Sequence, residues 1–144
     1  IRELDGIGVR AAAEPPTDNF DPATLTSNWS HKSIAVATGL GSFGLHQMVI
    51  TDAGCAGRFG SIVLDAESPA VPGTQRVRCL YAKDQSCQAC MDRCPVNAIS
   101  AERPMDRDRC WKRCLGVARR YTERGRAEVC GKCATGPCAL RSPV

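Results

Sequence analysis

Three things are scarce in this 144-residue sequence. No apolar run is long enough to cross a bilayer, which argues for a soluble protein. No secretory leader is visible, so nothing favours an oxidising compartment, and a cytoplasmic protein is expected. There are only two histidines, His31 and His46, and neither stands at a spacing that suggests a metal site, so each reads as a hydrogen-bonded structural residue. Large apolar groups are also thin in the last sixty residues, where eight of the ten cysteines lie. That half has little with which to build a core and is expected to depend on metal for its stability.

What the sequence does have is thiols in a pattern. The stretch Cys79-Leu-Tyr-Ala-Lys-Asp-Gln-Ser-Cys87-Gln-Ala-Cys90-Met-Asp-Arg-Cys94-Pro95 comes close to the bacterial ferredoxin run that holds a four-iron cluster. A cubane needs thiolates at several corners while the chain curls round it with amides aimed at sulfur, and two intervening residues let neighbouring cysteines reach adjacent irons. The cysteine before proline in such a run serves a second cluster, because the chain turns away from the first there. Cys94 therefore predicts a pair of clusters, and Cys110, Cys114, Cys130, Cys133 and Cys138 supply thiols for it. The usual run has a further cysteine where this chain has Asp84; Asp84 could ligate through oxygen, but Cys79 is softer and better matched to iron among sulfurs. The bland alternative is structural zinc on the pairs Cys87/Cys90 and Cys130/Cys133, which leaves Cys94-Pro95 and several thiols unused.

The formal charge of +4 hints weakly at an acidic partner. Two cubanes, each with four thiolates on a core of about +2, would add about −4 and nearly cancel it. Nucleic-acid binding therefore gains little support.

Along the chain, Ile7 to Ala13 predicts a short strand, followed by a long surface loop broken by Pro15-Pro16 and Asp21-Pro22. Trp29 to Thr38 reads as a packed helix capped by Ser27 or Asn28 and ended by Gly39, although the β-branched Ile34 and Val36 also permit a strand. Gly39-Leu-Gly41-Ser-Phe-Gly44, with Asp65 downstream, spells a dinucleotide fingerprint. The helix it requires would start among the β-branched Val49, Ile50 and Thr51 and then meet Gly54, Gly57 and Gly60, so a phosphate-binding turn is disfavoured. A hairpin pairing Gln47–Thr51 with Ser61–Asp65 is expected instead, with glycines allowing close approach of a ligand, or serving only as tight turns. Residues 66 to 78 look like a linker. Val96 to Ile99 makes a short apolar return, and Asp106 caps a helix from Arg107 to Arg124, ended by Gly125, with Cys110 and Cys114 one turn apart.

Two stretches together resemble a known family. Ala37-Thr-Gly-Leu-Gly-Ser-Phe-Gly44, Met48-Val-Ile-Thr51 and Gly60-Ser-Ile-Val63 resemble the segment before the ferredoxin module in the epoxyqueuosine reductase and reductive dehalogenase group. Cys79 to Pro95, Asp108-Arg-Cys110, Cys130-Gly-Lys-Cys133 and Cys138 resemble that group's dicluster module. The resemblance implies an α+β protein: a glycine-rich α/β remnant, helix plus hairpin, of nitroreductase-like corrin-binding type over residues 1–75, followed by a ferredoxin-like dicluster module over residues 76–144. It implies two [4Fe-4S] clusters, one held by Cys79, Cys87, Cys90 and Cys138 and the other by Cys94, Cys110, Cys130 and Cys133, with Cys55 and Cys114 unliganded. It implies a corrinoid (cobalamin) in the complete protein, with Gly39, Gly41, Gly44, Gly57 and Gly60 as the positions where it could approach. The expected partners are a redox protein or a missing N-terminal domain, and tRNA only if the queuosine-type activity applies. Family members are longer, so an upstream half of the corrin-binding domain is expected to lie outside this chain.

The function expected is single-electron transfer through two [4Fe-4S] clusters, as an electron-transfer protein or a fragment of an epoxyqueuosine-reductase-like oxidoreductase. The alternatives are a complete corrinoid-dependent reductase that needs more sequence or a partner, and a zinc-stabilised non-catalytic binding module.

Overall fold

The computed structural model describes residues 1–14, 20–67, 73, 76–125 and 127–144. It is an α+β arrangement of short helices and two-stranded antiparallel sheets. In chain order the elements are α1 (Arg2–Asp5), β1 (Ala11–Ala13), β2 (Phe20–Asp21), β3 (Thr26–Ser27), α2 (His31–Ala37), β4 (Gly41–Phe43), β5 (Val49–Thr51), β6 (Ile62–Leu64), α3 (Leu80–Asp84), α4 (Ala89–Asp92) and α5 (Arg107–Arg120). Two 3-10 turns, Thr122–Arg124 and Lys132–Thr135, follow α5.

Helix α2 starts later than the sequence suggests. Its cap is Ser30, whose side chain accepts from the Ser33 amide at 3.2 Å, while Ser27 belongs to β3. Gly39 ends it as expected, at φ +73°. Ser42 then enters β4, and the expected hairpin partners prove wrong: Gly41↔Thr51, Ser42↔Ile50 and Phe43↔Val49 pair β4 with β5. The reason is local. The five residues between the strands close a tight turn, with the Gly44 amide on the Met48 carbonyl at 2.9 Å and Gln47 at φ +58°, and so short a closure costs little entropy. Strand β6 instead pairs with β1, Ala12↔Val63 at its centre. The N-terminal region is correspondingly less loop-like than expected, since β2 and β3 also form a small hairpin.

The expected linker, residues 66 to 78, lies partly outside the described residues, but its end is not free. Arg78 is buried, its amide donates to Ser42 Oγ at 2.9 Å, and its Nε meets Asp52 at 3.1 Å. Arg76 also pairs with Asp52. Just beyond, Cys79 packs with Ile50 and Cys55 in a small core on which Leu45, Met48, Tyr81, Ala134 and Cys138 close. Cysteine thus does part of the work of aliphatic side chains, and the two halves share one core.

Helix α5 begins as predicted, with the Asp106 carboxylate accepting from the Arg109 amide at 2.9 Å. It stops at Arg120 rather than Arg124, the last turn tightening to 3-10 geometry before Gly125 at φ +70°. Trp111, on α5, meets Phe20 edge to face with centroids 5.2 Å apart. Among the described residues no helix is long and apolar enough to cross a membrane.

Candidate metal centre

The run from Cys79 to Cys94 winds through two short helices. Cys79 precedes α3, Gln85 at φ +61° turns the chain, and α4 carries Cys90 and leads to Cys94. Asp84 faces away: it is exposed, and its carboxylate accepts from the Ser86 amide at 3.0 Å in a side-chain-closed turn. Cys79, by contrast, is buried and lines a cleft with Cys87, Cys90, Cys133, Cys138 and His46. The 3-10 turn that carries Cys133 packs on α4, which brings the end of the chain to its cysteine run.

The remaining thiols gather beside this cleft. Cys110 and Cys114 lie one turn apart on α5, and the charges of Cys94 and Cys130 act on Cys110. Cys110, Cys130 and Cys94 act in turn on Cys133, which stands between the two groups. From the N-terminal half, the charge of Lys32 on α2 reaches both Cys110 and Cys133. The Ala98 amide donates to Cys94 Sγ at 3.2 Å, an amide directed at sulfur.

The electrostatics of these thiols have one theme. Burial, and then the neighbouring Cys79, Cys133 and Cys87, push Cys90 up to about 11. Burial and Cys110 push Cys114 to about 11 as well. Burial likewise raises Cys110 and Cys133. Thiolates crowded in this way oppose one another's ionisation unless a positive core compensates them. Four thiolates on one zinc lie about 3.8 Å apart, given Zn–S bonds of about 2.3 Å at tetrahedral angles. Among the described residues, the only His, Cys, Asp or Glu groups of three or more whose donor atoms all lie within 4.8 Å reduce to one, His46 with Cys55 and Cys138. The other described thiols form no group of three or more whose donor atoms lie that close.

That close triad is what sequence reasoning missed. His46 Nε2 lies 3.5 Å from Cys138 Sγ and 3.6 Å from Cys55 Sγ, and the two sulfurs are 3.7 Å apart. The hydrogen bond from Cys55, and then that from His46, pulls Cys138 down to about 4. Cys55 is driven upward, first by its bond to Cys138 and then by burial. No spacing signals the triad, because Cys138 is 83 positions from Cys55 and 92 from His46. The other histidine follows expectation, with His31 Nδ1 on Ser61 Oγ at 2.6 Å.

The glycines named as possible corrinoid contacts divide into two sets. At Gly39, Gly41 and Gly44 the chain's own atoms fill the place of a Cβ: Gly73 backbone beside Gly39, the Ile50 carbonyl oxygen 2.7 Å from the Gly41 position, and the His46 ring 2.7 Å from that of Gly44. Gly57 and Gly60 face open space. Gly54, not singled out beforehand, lies against Ala139, where the Cys55 and Ala56 amides donate to the Cys138 and Ala139 carbonyls at 2.9 Å.

Comparison with known proteins gives no match to this chain from family models, curated proteins or solved structures.

Proposed function

We propose that the chain is an iron-sulfur protein that passes single electrons through two [4Fe-4S] clusters, built on a ferredoxin-like dicluster module. The observation that supports this reading is one cleft lined by Cys79, Cys87, Cys90, Cys133 and Cys138, with Cys94, Cys110 and Cys130 close enough for their charges to act on Cys133. Cys79, Cys87, Cys90 and Cys138 would hold one cluster; Cys94, Cys110, Cys130 and Cys133 would hold the other. The clusters would supply the one-electron chemistry. The chain's own part is to bury the thiolates, to direct groups such as the Ala98 amide at sulfur, and to tie its last cysteine back to its first through the Cys55–Cys138 backbone bond.

The sequence resemblance extends this to a fragment of an epoxyqueuosine-reductase-like oxidoreductase. On that reading a corrinoid-dependent reaction, with tRNA as substrate for the queuosine-type activity, needs further sequence or a partner subunit. A zinc-stabilised binding module is the second reading, favoured by one observation: the zinc-like spacing of His46, Cys55 and Cys138.

Iron, zinc and acid-labile sulfide per chain, measured on anaerobically purified protein together with an absorption spectrum, test the proposal. About eight iron and about eight sulfide with broad brown absorption are expected. Zinc without sulfide would overturn it in favour of the structural-metal reading.

A further inference from the structure

His46 and Cys55 stand outside the eight-thiol assignment, yet both are buried and both reach Cys138. The imidazole is held from behind. The Met48 amide donates to Nδ1 at 3.2 Å, and a ring that accepts at Nδ1 carries its proton on Nε2. Nε2 is the atom that faces the two sulfurs, at 3.5 and 3.6 Å. Gly44 makes room for this pose, since a Cβ there would stand 2.7 Å from Cε1 and 2.9 Å from Nδ1 of the ring. Cys55 is also held, its amide on the Cys138 carbonyl at 2.9 Å and its thiol within reach of Cys138 Sγ at 3.7 Å and of the Ala134 carbonyl at 4.0 Å. Ile50 and Cys79 pack with Cys55 in the adjoining core.

Resting on the iron-sulfur reading of Cys138, we propose that His46 and Cys55 are positioning residues that set the reduction potential of the centre Cys138 helps to hold. A centre that takes one electron from a one-electron reductant gains one unit of negative charge, shared with its sulfurs. An imidazole N–H and a thiol S–H converging on one of those sulfurs stabilise the reduced form more than the oxidised form, which raises the potential. The two centres of the chain would then differ in potential, with the pair of donors confined to one of them.

The test compares wild type with His46→Leu, His46→Gln and Cys55→Ala, all purified anaerobically. Iron, zinc and sulfide are assayed first, and each protein is then titrated with dithionite in the presence of mediators while the reduced clusters are followed by electron paramagnetic resonance. All four proteins should hold the same iron and sulfide. In His46→Leu and Cys55→Ala one centre should shift to more negative potential, its reduced-to-oxidised ratio at the wild-type midpoint falling about three- to tenfold, the upper figure being about 59 mV for a one-electron couple. The other centre should not move. Glutamine retains an N–H donor and should stay closer to wild type than leucine. Should His46→Leu not fold, Cys55→Ala removes a single side-chain atom and decides the matter. Unshifted potentials with full iron overturn the proposal. So does loss of about half the iron, or of one zinc, from Cys55→Ala, since Cys55 would then be a ligand. If wild type holds neither iron nor sulfide, the proposal falls with the reading beneath it, and the metal assay identifies that case.

Discussion

Replacing Gly54 by alanine should displace the C-terminal segment that carries Cys138. Gly54 has φ +87°, a left-handed conformation that costs a residue with a Cβ about 1–2 kcal/mol. The new Cβ would stand 2.6 Å from both the Ala139 carbonyl carbon and the Arg141 amide nitrogen, where ordinary contact begins at 3.4 Å. Both neighbours are backbone, so no side chain can swing aside and the segment itself must move. Forced overpacking of this kind costs about 1–3 kcal/mol. The same movement strains the bonds from the Cys55 and Ala56 amides to the Cys138 and Ala139 carbonyls, each worth about 1 kcal/mol net. Together these effects are on the order of 3–6 kcal/mol, a large part of the stability of an ordinary domain. Gly57, three residues on, is the control: it is exposed, and nothing lies within 4 Å of its Cβ position. Anaerobic thermal unfolding followed by circular dichroism, with iron measured on the same samples, should leave Gly57→Ala superimposed on wild type. Gly54→Ala should melt about 10 °C or more lower and lose iron. Equal midpoints for the two variants would refute the reasoning.

Three further outcomes are expected. Cys133→Ser should remove about four iron from a total of about eight, whereas Cys114→Ser should leave iron content unchanged; elemental analysis of the anaerobic proteins separates them. Asp106→Ala should cost about 1 kcal/mol in a denaturant titration, because the Arg109 amide loses its cap at the start of α5. The Asp52 carboxyl is held below its ordinary value of 3.8 by hydrogen bonds from Arg78 and then Arg76. A depressed folded-state value stabilises the fold above the unfolded value and stops doing so as pH falls through the folded one. Wild type should therefore exceed Asp52→Asn in stability at neutral pH, and the gap should close below about pH 4 in unfolding curves measured across pH.

The features legible in the sequence were those encoded over a few neighbouring residues. The Cys87, Cys90 and Cys94 spacings bring thiols close along a short stretch of chain, and Asp106 caps a helix through a contact only three residues long. The consecutive β-branched Val49, Ile50 and Thr51 correctly ruled out a helix there, since their side chains crowd a helical turn. Strand partners were a different matter. Strands of three residues present one or two side chains to each face, so alternation cannot choose between pairing β5 with β4 or with β6. Only the tight turn at residues 44 to 48, set by Gly44 and a left-handed Gln47, settles that choice.

Tertiary structure alone decided which side chains converge on Cys138. His46 comes from the turn between β4 and β5, and Cys55 from the loop that Gly54 lets approach the chain end, while their common partner lies more than eighty positions away. Contacts at that separation leave no periodicity to read, because they depend on how separate elements pack and not on the pitch of any one of them. By itself the sequence determined that this is a thiol-rich chain with cysteines at cluster-like spacings and too few large apolar groups in its second half to build an ordinary core. Packing decided that Cys79 and not Asp84 joins those thiols, and that a buried histidine and a ninth cysteine stand against one of them.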